Sequence, residues 1–216
     1  AYNNNMYVGY MYTSGEAHGT GTSSAIKTNV DKFYTDKLAS YASKLDTNAG
    51  FCGDRSNLNL QSGVGTGTVI TYNKGYLRVE ESAPTLTCEN ASDYYTVSSA
   101  SSGNKKLSYP IGLINADEVM LAGHAGGVFD GSYNHMKSNN GSYLVTGNSF
   151  WTMTPAGGYN PFGYTGWGAY VFGVNGSGGI DDGGVYGAFG LRPVVNLKSG
   201  VTITGSGTMT NPYVVG

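Results

Sequence analysis

Along this chain the apolar positions come in short runs, and only one stretch carries a sustained helical period. Ile26, Val30, Phe33, Tyr34, Leu38, Tyr41 and Leu45 recur at three- and four-residue steps, which predicts an amphipathic helix over residues 24–45. Ser23 or Ser24 can cap its first turn, and Gly50 lies beyond its end. "MYVGYMYT" (6–13) reads as a buried strand. "TVITY" (68–72) and "YLRV" (76–79) read as paired strands about a turn at Asn73, Lys74 and Gly75. In "YPIGLINADEVMLAGH" a short strand leads to a cap at Asn115. Asp117 and Glu118 then occupy the first turn of a short helix, where acids suit its positive end, and Gly123 stops it. "SFWTM" (149–153), "AYVFGV" (169–174), "LRPVVNL" (191–197) and "VTIT" (201–204) read as strands separated by short turns or glycine-rich insertions. Few helices, several short strands and much loop predict an α+β fold. Neither a tandem repeat nor a break in composition divides the chain, so residues 1–216 read as one domain.

One stretch fits neither period. Between Ala156 and Gly190 there are thirteen glycines and eight aromatic rings, and the only charges are Asp181 and Asp182. A disordered linker would not keep so many rings, and a packed core would not keep so many glycines. Tyrosine and tryptophan offer a large rigid contact area, while Gly, Ser and Asn supply adaptable backbone, as in antibody binding loops. Residues 156–190 are therefore expected to present a ligand-binding surface, with Trp151 and Phe172 assigned to the core. Composition points the same way. Only 12% of residues are charged and 18 are tyrosine, against roughly 25% charged in ordinary soluble domains. A net charge of -2 and scattered basic residues argue against nucleic acid or an anionic membrane as partner.

Chemistry of other kinds finds little support. His18, His124 and His135 sit in Gly- and Asn-rich loops at no metal-site spacing. Asp181 and Asp182, being adjacent, would point to opposite faces of a strand and make a poor acid–base pair. In a loop they could touch a cation, but a solvated turn is the expected state. No serine lies in a nucleophile elbow, and "GVGTGT" (63–68) lacks the ending of a phosphate loop. No catalytic residue, metal site or cofactor is assigned. Cys52 and Cys88 are either one disulfide or two free thiols, and spacing does not decide between them. The lack of a catalytic or metal-binding neighbourhood favours the bridge, which would imply an oxidising compartment. No signal peptide follows Ala1 and no apolar run is long enough to span a bilayer. The chain is thus expected to be a processed or trimmed piece whose membrane anchor lies outside it.

"YPIGLINADEVMLAG", "SFWTMTP" and the closing "GLRPVVNLKSGVTITGSGTMTNPYVV", with "FCGDRS" and "DYYTVSS", resemble the framework of variable proteins diversified by retroelements. The resemblance is closest to a pilin-like, cell-surface group from gut bacteria, and it covers most of the chain. It implies a C-type lectin type of fold, related to that of the formylglycine-generating enzyme. In that family a reverse-transcribed template is copied with errors at adenines, and asparagine codons scatter into many residue types on an exposed binding face. "GGIDDGGVYGAFG" (178–190) is drawn almost wholly from residues reachable in that way, whereas Trp167 is not.

Carried over residue by residue, Trp151, Thr152 and Met153 match the fixed entering strand. Leu191, Arg192, Pro193, Val194 and Val195 match the fixed closing strand. The expected variable contacts are Tyr159, Asn160, Phe162, Tyr164, Trp167, Tyr170, Gly173, Asp181, Asp182, Tyr186 and Phe189. The carboxylate-bearing triplets of calcium-dependent lectins have no match, "NPF" at residues 160–162 included, and no cysteine in the C-terminal half matches the enzyme relative's reactive pair. The resemblance therefore implies a non-enzymatic display protein at the cell surface or outside the cell, with a protein or surface glycan as ligand. The alternatives are a pilus or cell-wall adhesin module without diversification, and an enzyme on the related fold.

Overall fold

The computed structural model describes residues 8–58, 71–124, 142–159, 168–208 and 210–216. The first ladder is short: β1 (Met11–Tyr12) pairs antiparallel with β2 (Thr22–Ser23). Within the expected strand over residues 6–13, Val8, Tyr10 and Met11 are buried, but Gly9 at φ +115 interrupts the extended backbone. Met6 and Tyr7 lie outside the described residues.

The long helical period emerges as three consecutive geometries. α1 (Ala25–Phe33) starts at Ser24, whose Oγ accepts from the Lys27 N–H at 3.1 Å and donates to the Tyr10 carbonyl at 2.9 Å. A π turn (Tyr34–Leu38) and a 3-10 turn (Ala39–Lys44) follow. Val30, Tyr34 and Leu45 are buried, and Ile26 and Leu38 pack beside them. The apolar spacing thus located most of the buried face, though Phe33 and Tyr41 of the same period are exposed, while the backbone hydrogen-bond pattern changed beneath it.

β3 (Phe51–Cys52) pairs with β5 (Tyr94–Tyr95), and Cys52 is bonded to Cys88 across 36 residues of sequence. Between them come β4 (Thr71–Tyr72) and α2 (Lys74–Glu81). The expected strand over residues 76–79 is therefore a helix. Arg78 is drawn between two buried carboxylates, Asp54 at 3.0 Å and Asp117 at 2.7 Å, and helical spacing puts Gly75 and Val79 together on the buried side. Residues 68–70 and the glycine string at 63–68 lie outside the described residues.

β6 (Gly112–Leu113) leads into α3 (Ala116–Leu121), which begins with a full capping box. The Asn115 side chain accepts from the Glu118 N–H at 2.7 Å, and the Glu118 carboxylate accepts from the Asn115 N–H at 2.9 Å. β7 (Phe150–Tyr159), β8 (Gly168–Val174) and β9 (Ile180–Gly184) then extend β4 into a four-stranded antiparallel sheet of order β4-β7-β8-β9. β9 falls in the stretch read from sequence as loop. β10 (Pro193–Val194) returns to pair with β6, and β11 (Ile203–Thr204) pairs with β12 (Val214–Val215). The architecture is mixed α+β with few helices and many short antiparallel strands.

Side-chain alternation gives this sheet two covered faces. Trp151, Met153 and Val171 join the core built by Tyr10, Val30, Phe51, Tyr95 and Leu113. Phe150, Ala156, Phe172 and Val174 join the second core, with Val79 and Val119 from the helices. The N-terminal half is tied by an ion pair with no access to water: Arg55 is 2% exposed and Asp93 0%. Arg55 Nε donates to Asp93 Oδ1 at 2.8 Å, and Nη1 donates to the carbonyls of Met11 and Gly19, each at 2.9 Å. Asp93 Oδ2 accepts the Arg55 backbone N–H at 2.7 Å and lies 2.7 Å from His18 Nδ1.

Removing the cation leaves a carboxylate buried without compensation. Arg55→Met is expected to lower the unfolding free energy by about 3–5 kcal/mol, measured by urea denaturation. A loss below about 1 kcal/mol would place the pair among solvent-screened surface bridges.

Burial alone would raise the Asp54 carboxyl, but hydrogen bonds from Ser56 and Arg78 outweigh it together and hold it below its ordinary 3.8. The unfolded chain therefore binds this proton more readily, so the stabilisation is complete above the ordinary value and lost as pH falls through the folded one. Asp54→Asn should flatten the fall in melting temperature between about pH 4 and pH 2.

Candidate functional site

The antiparallel register of β8 and β9 decides where the candidate residues point. Val174 faces Ile180, Phe172 faces Asp182 and Tyr170 faces Gly184, while Gly173 faces Asp181 and Val171 faces Gly183. Paired residues share a face, so the first set lies over the second core and the other set over the Trp151 side.

On the Trp151 side, the Phe189 ring stacks on the Trp151 indole with centroids 4.2 Å apart. Trp151 is 6% exposed beneath it, whereas Phe189 keeps 37% of its surface in water. The rings rest on backbone that has no side chain. A β-carbon at Gly183 would stand 2.8 Å from the indole, and one at Gly173 would stand 3.1 Å from the Phe189 ring. On the opposite face Tyr186 lies over Gly184, where a β-carbon would come within 2.5 Å of its ring, yet the tyrosine is 74% exposed. This explains the mixture of rings and glycines: the glycines are seats on which rings lie flat against strand backbone.

The Tyr186 face also gathers residues from outside the stretch. Tyr72 and Tyr76 hold their rings 4.6 Å apart, and Tyr76 stands 6.1 Å from Phe172. The Tyr76 hydroxyl hydrogen-bonds to Glu80 one turn along α2, and the Tyr170 hydroxyl hydrogen-bonds to Tyr186. Burial, then the charges of Glu80 and Asp182, push the Tyr72 phenol up. Burial and the bond to Glu80 do the same for Tyr76. Tyr170 is pushed up to about 12 by burial, then by Tyr186 and Asp182. All three are protonated at neutral pH and keep neutral rings with polar tips.

The expected contacts therefore divide. Tyr186 and Phe189 present ring surface, and Tyr170, Asp181 and Asp182 are half-buried. Gly173 is a correction: it is buried beneath Phe189 and supports the surface rather than forming it. Asp181 and Asp182 are a second correction, since they occupy β9 rather than a solvated turn. They point to opposite faces and do not converge on one ion. Tyr159 ends β7 opposite Gly168, while Asn160, Phe162, Tyr164 and Trp167 lie outside the described residues.

Trp151 and Phe172 are buried. The sequence reading missed Tyr72, Tyr76 and Glu80. Tyr76 and Glu80 stand one helical turn apart on α2, a signal hidden when residues 76–79 are read as a strand, and Tyr72 is brought beside them from β4.

The two described histidines serve the scaffold. His18 meets Asp93, and His124, 2% exposed, holds the Gly178 carbonyl at 2.6 Å from Nδ1; His135 lies outside the described residues. Among the described residues no group of three or more His, Cys, Asp or Glu is placed to hold a metal ion. No described helix is long and apolar enough to cross a membrane. Beside Trp151 a cleft of about 290 Å³ opens between α1 and the sheet, lined by Tyr12, Ile26, Met153, Val171 and Val185.

If the glycines are seats, a methyl group must displace a ring. Gly183→Ala is expected to cost about 1–3 kcal/mol by overpacking and to change tryptophan fluorescence as the indole loses its stacked partner. Unchanged emission together with unchanged stability would show that the indole does not lean on Gly183.

No protein-family model, curated protein or solved structure matches this chain.

Proposed function

We propose that the protein is a non-enzymatic ligand-binding display protein, in which a fixed scaffold of C-type lectin type presents a diversified surface between residues 156 and 190. The observation that carries the reading is the arrangement of rings over glycines. Tyr186 and Phe189 reach solvent on opposite sides of β9, which is half-buried beyond Ile180, while Trp151, Phe172 and Gly173 behind it are buried. Residues can change on such a surface without entering either core, and substitutions away from packing usually shift stability by about 0.5 kcal/mol or less. Exposed aromatic rings are the residue type that most often anchors a protein interface.

The ligand is a protein or a surface glycan. The 290 Å³ cleft beside Trp151 offers an apolar recess next to the ring surface. The disulfide and the low charge suit an extracellular or cell-surface setting.

The first test is genetic. The DNA downstream of the gene should hold a near-copy of the stretch coding for residues 151–197, differing almost only at adenines and lying beside a reverse transcriptase. No such copy would turn the reading to a plain adhesin module.

The second test is on the protein. Tyr186→Ala should leave the melting temperature within about 2 °C of the parent, since the ring is mostly in water. Loss of the folded state in that variant would put the ring in the scaffold instead.

A further inference from the structure

The cleft between α1 and the sheet, about 290 Å³ in volume, is built almost wholly from the scaffold. All of its described lining residues except Val171 and Val185 lie outside residues 156–190, and neither valine is among the expected variable contacts. Its floor is held in place: Tyr10, Leu113, Trp151 and Met153 are buried in the first core. Its edges reach solvent, with Ile26, Val171 and Val185 half-buried and Ala25 exposed.

No described residue lining the cleft carries a charge, apart from the titratable but neutral tyrosines. A cation or an anion entering it sheds water without meeting a counter-charge, which is costly. The aliphatic hydroxyls of the lining are taken up by backbone. Ser24 Oγ donates to the Tyr10 carbonyl at 2.9 Å and accepts from the Lys27 N–H at 3.1 Å. Thr152 Oγ1 donates to the Phe172 carbonyl at 2.7 Å and accepts from the Thr154 N–H at 3.2 Å. A sugar, which must exchange its bonds to water for bonds to protein, gains little from groups so engaged.

Ring and thioether surface remains, from Tyr10, Tyr12, Trp151 and Met153. An aromatic ring gains ring–ring and sulfur–ring contacts there beyond its burial. Pockets for drug-sized ligands run from about 300 to 1,000 Å³, so this cleft suits one ring rather than an extended chain. We propose that it is a second, fixed binding site, which receives a neutral aromatic side chain of a protein ligand. The contrast with a changing surface rests on the display reading: residues 156–190 select among ligands, and the cleft gives every variant the same anchor.

The test titrates N-acetyl-phenylalaninamide into the protein and follows the methyl signals of Ile26, Met153, Val171 and Val185 by NMR. They are expected to shift with a dissociation constant on the order of 1 mM. N-acetyl-lysinamide, the amide of N-acetyl-glutamic acid and methyl glucoside should leave them in place. Ala25→Phe and Val185→Phe, which fill the cleft from α1 and from the end of β9, should abolish the response with the fold intact. Tyr186→Ala should keep it, because that ring lies on the opposite face of the sheet. No shift with the aromatic amide, an equal shift with a charged or sugar probe, or an unchanged response in either folded filling variant overturns the proposal. Loss of the response in folded Tyr186→Ala overturns its independence from the changing surface. Failure here with a downstream template copy present removes the fixed anchor and spares the display function. An aromatic response without a template copy keeps the cleft site on a plain adhesin.

Discussion

The buried Arg55–Asp93 pair is the interaction from which the rest of the structure hangs. Neither partner has water to fall back on, so the guanidinium and the carboxylate must be satisfied by protein atoms. Arg55 does this by reaching back to the carbonyls of Met11 and Gly19, and Asp93 by receiving the backbone of Arg55 and the ring of His18. The connection continues forward. The Arg55 carbonyl accepts from Asn73 Nδ2 at 2.9 Å, and the Asn73 N–H donates to the Ala156 carbonyl on β7 at 3.0 Å. One charge pair therefore fixes the first ladder, the disulfide-bearing pair β3–β5 and the entry to the large sheet in a single chain of hydrogen bonds.

That sheet is what allows a glycine-rich stretch to hold a shape. β7 and β8 are covered on both faces, so their register is set by two cores rather than one, and a one-residue slip would exchange Trp151 with Phe150. β9 has far fewer side chains with which to set its own register. It borrows that of β8 through five consecutive pairs from Ile180–Val174 to Gly184–Tyr170, and Ile180 anchors its start in the second core. Rings that follow β9 in sequence fold back onto its glycines.

Local signals carried much of this into the sequence. The period from Ile26 to Leu45 located the buried face of the first helical region, and Asn115 with Glu118 marked the start of α3 because a capping box is a contact within four residues. The β7 and β8 runs stood out because two-sided burial leaves little room for polar residues at their centres. What stayed hidden depended on distant partners. Residues 76–79 turn helical under the pull of Asp54 and Asp117 on Arg78, neither of which is close in sequence. β9 carries only Ile180 as an apolar marker, with Val185 just past its end, and its strand geometry comes from β8. At the candidate site the exposed rings were legible, but the tyrosines of β4 and α2 were not, because a reading centred on one stretch does not see what the fold lays beside it.

β9 is also the outermost strand of its sheet, hydrogen-bonded to β8 alone among the strands. An outer strand made of apolar residues is a template on which another copy of the chain can add a strand. Asp181 and Asp182, with Gly183 and Gly184 after them, make this strand charged and poor in β-formers. If this surface is diversified as proposed, its residues must satisfy two demands at the same positions: contact with a ligand, and solubility. Runs such as Val-Ile-Val in place of Asp181, Asp182 and Gly183 would fail the second demand, so under that proposal self-association would bound the repertoire before affinity selected within it.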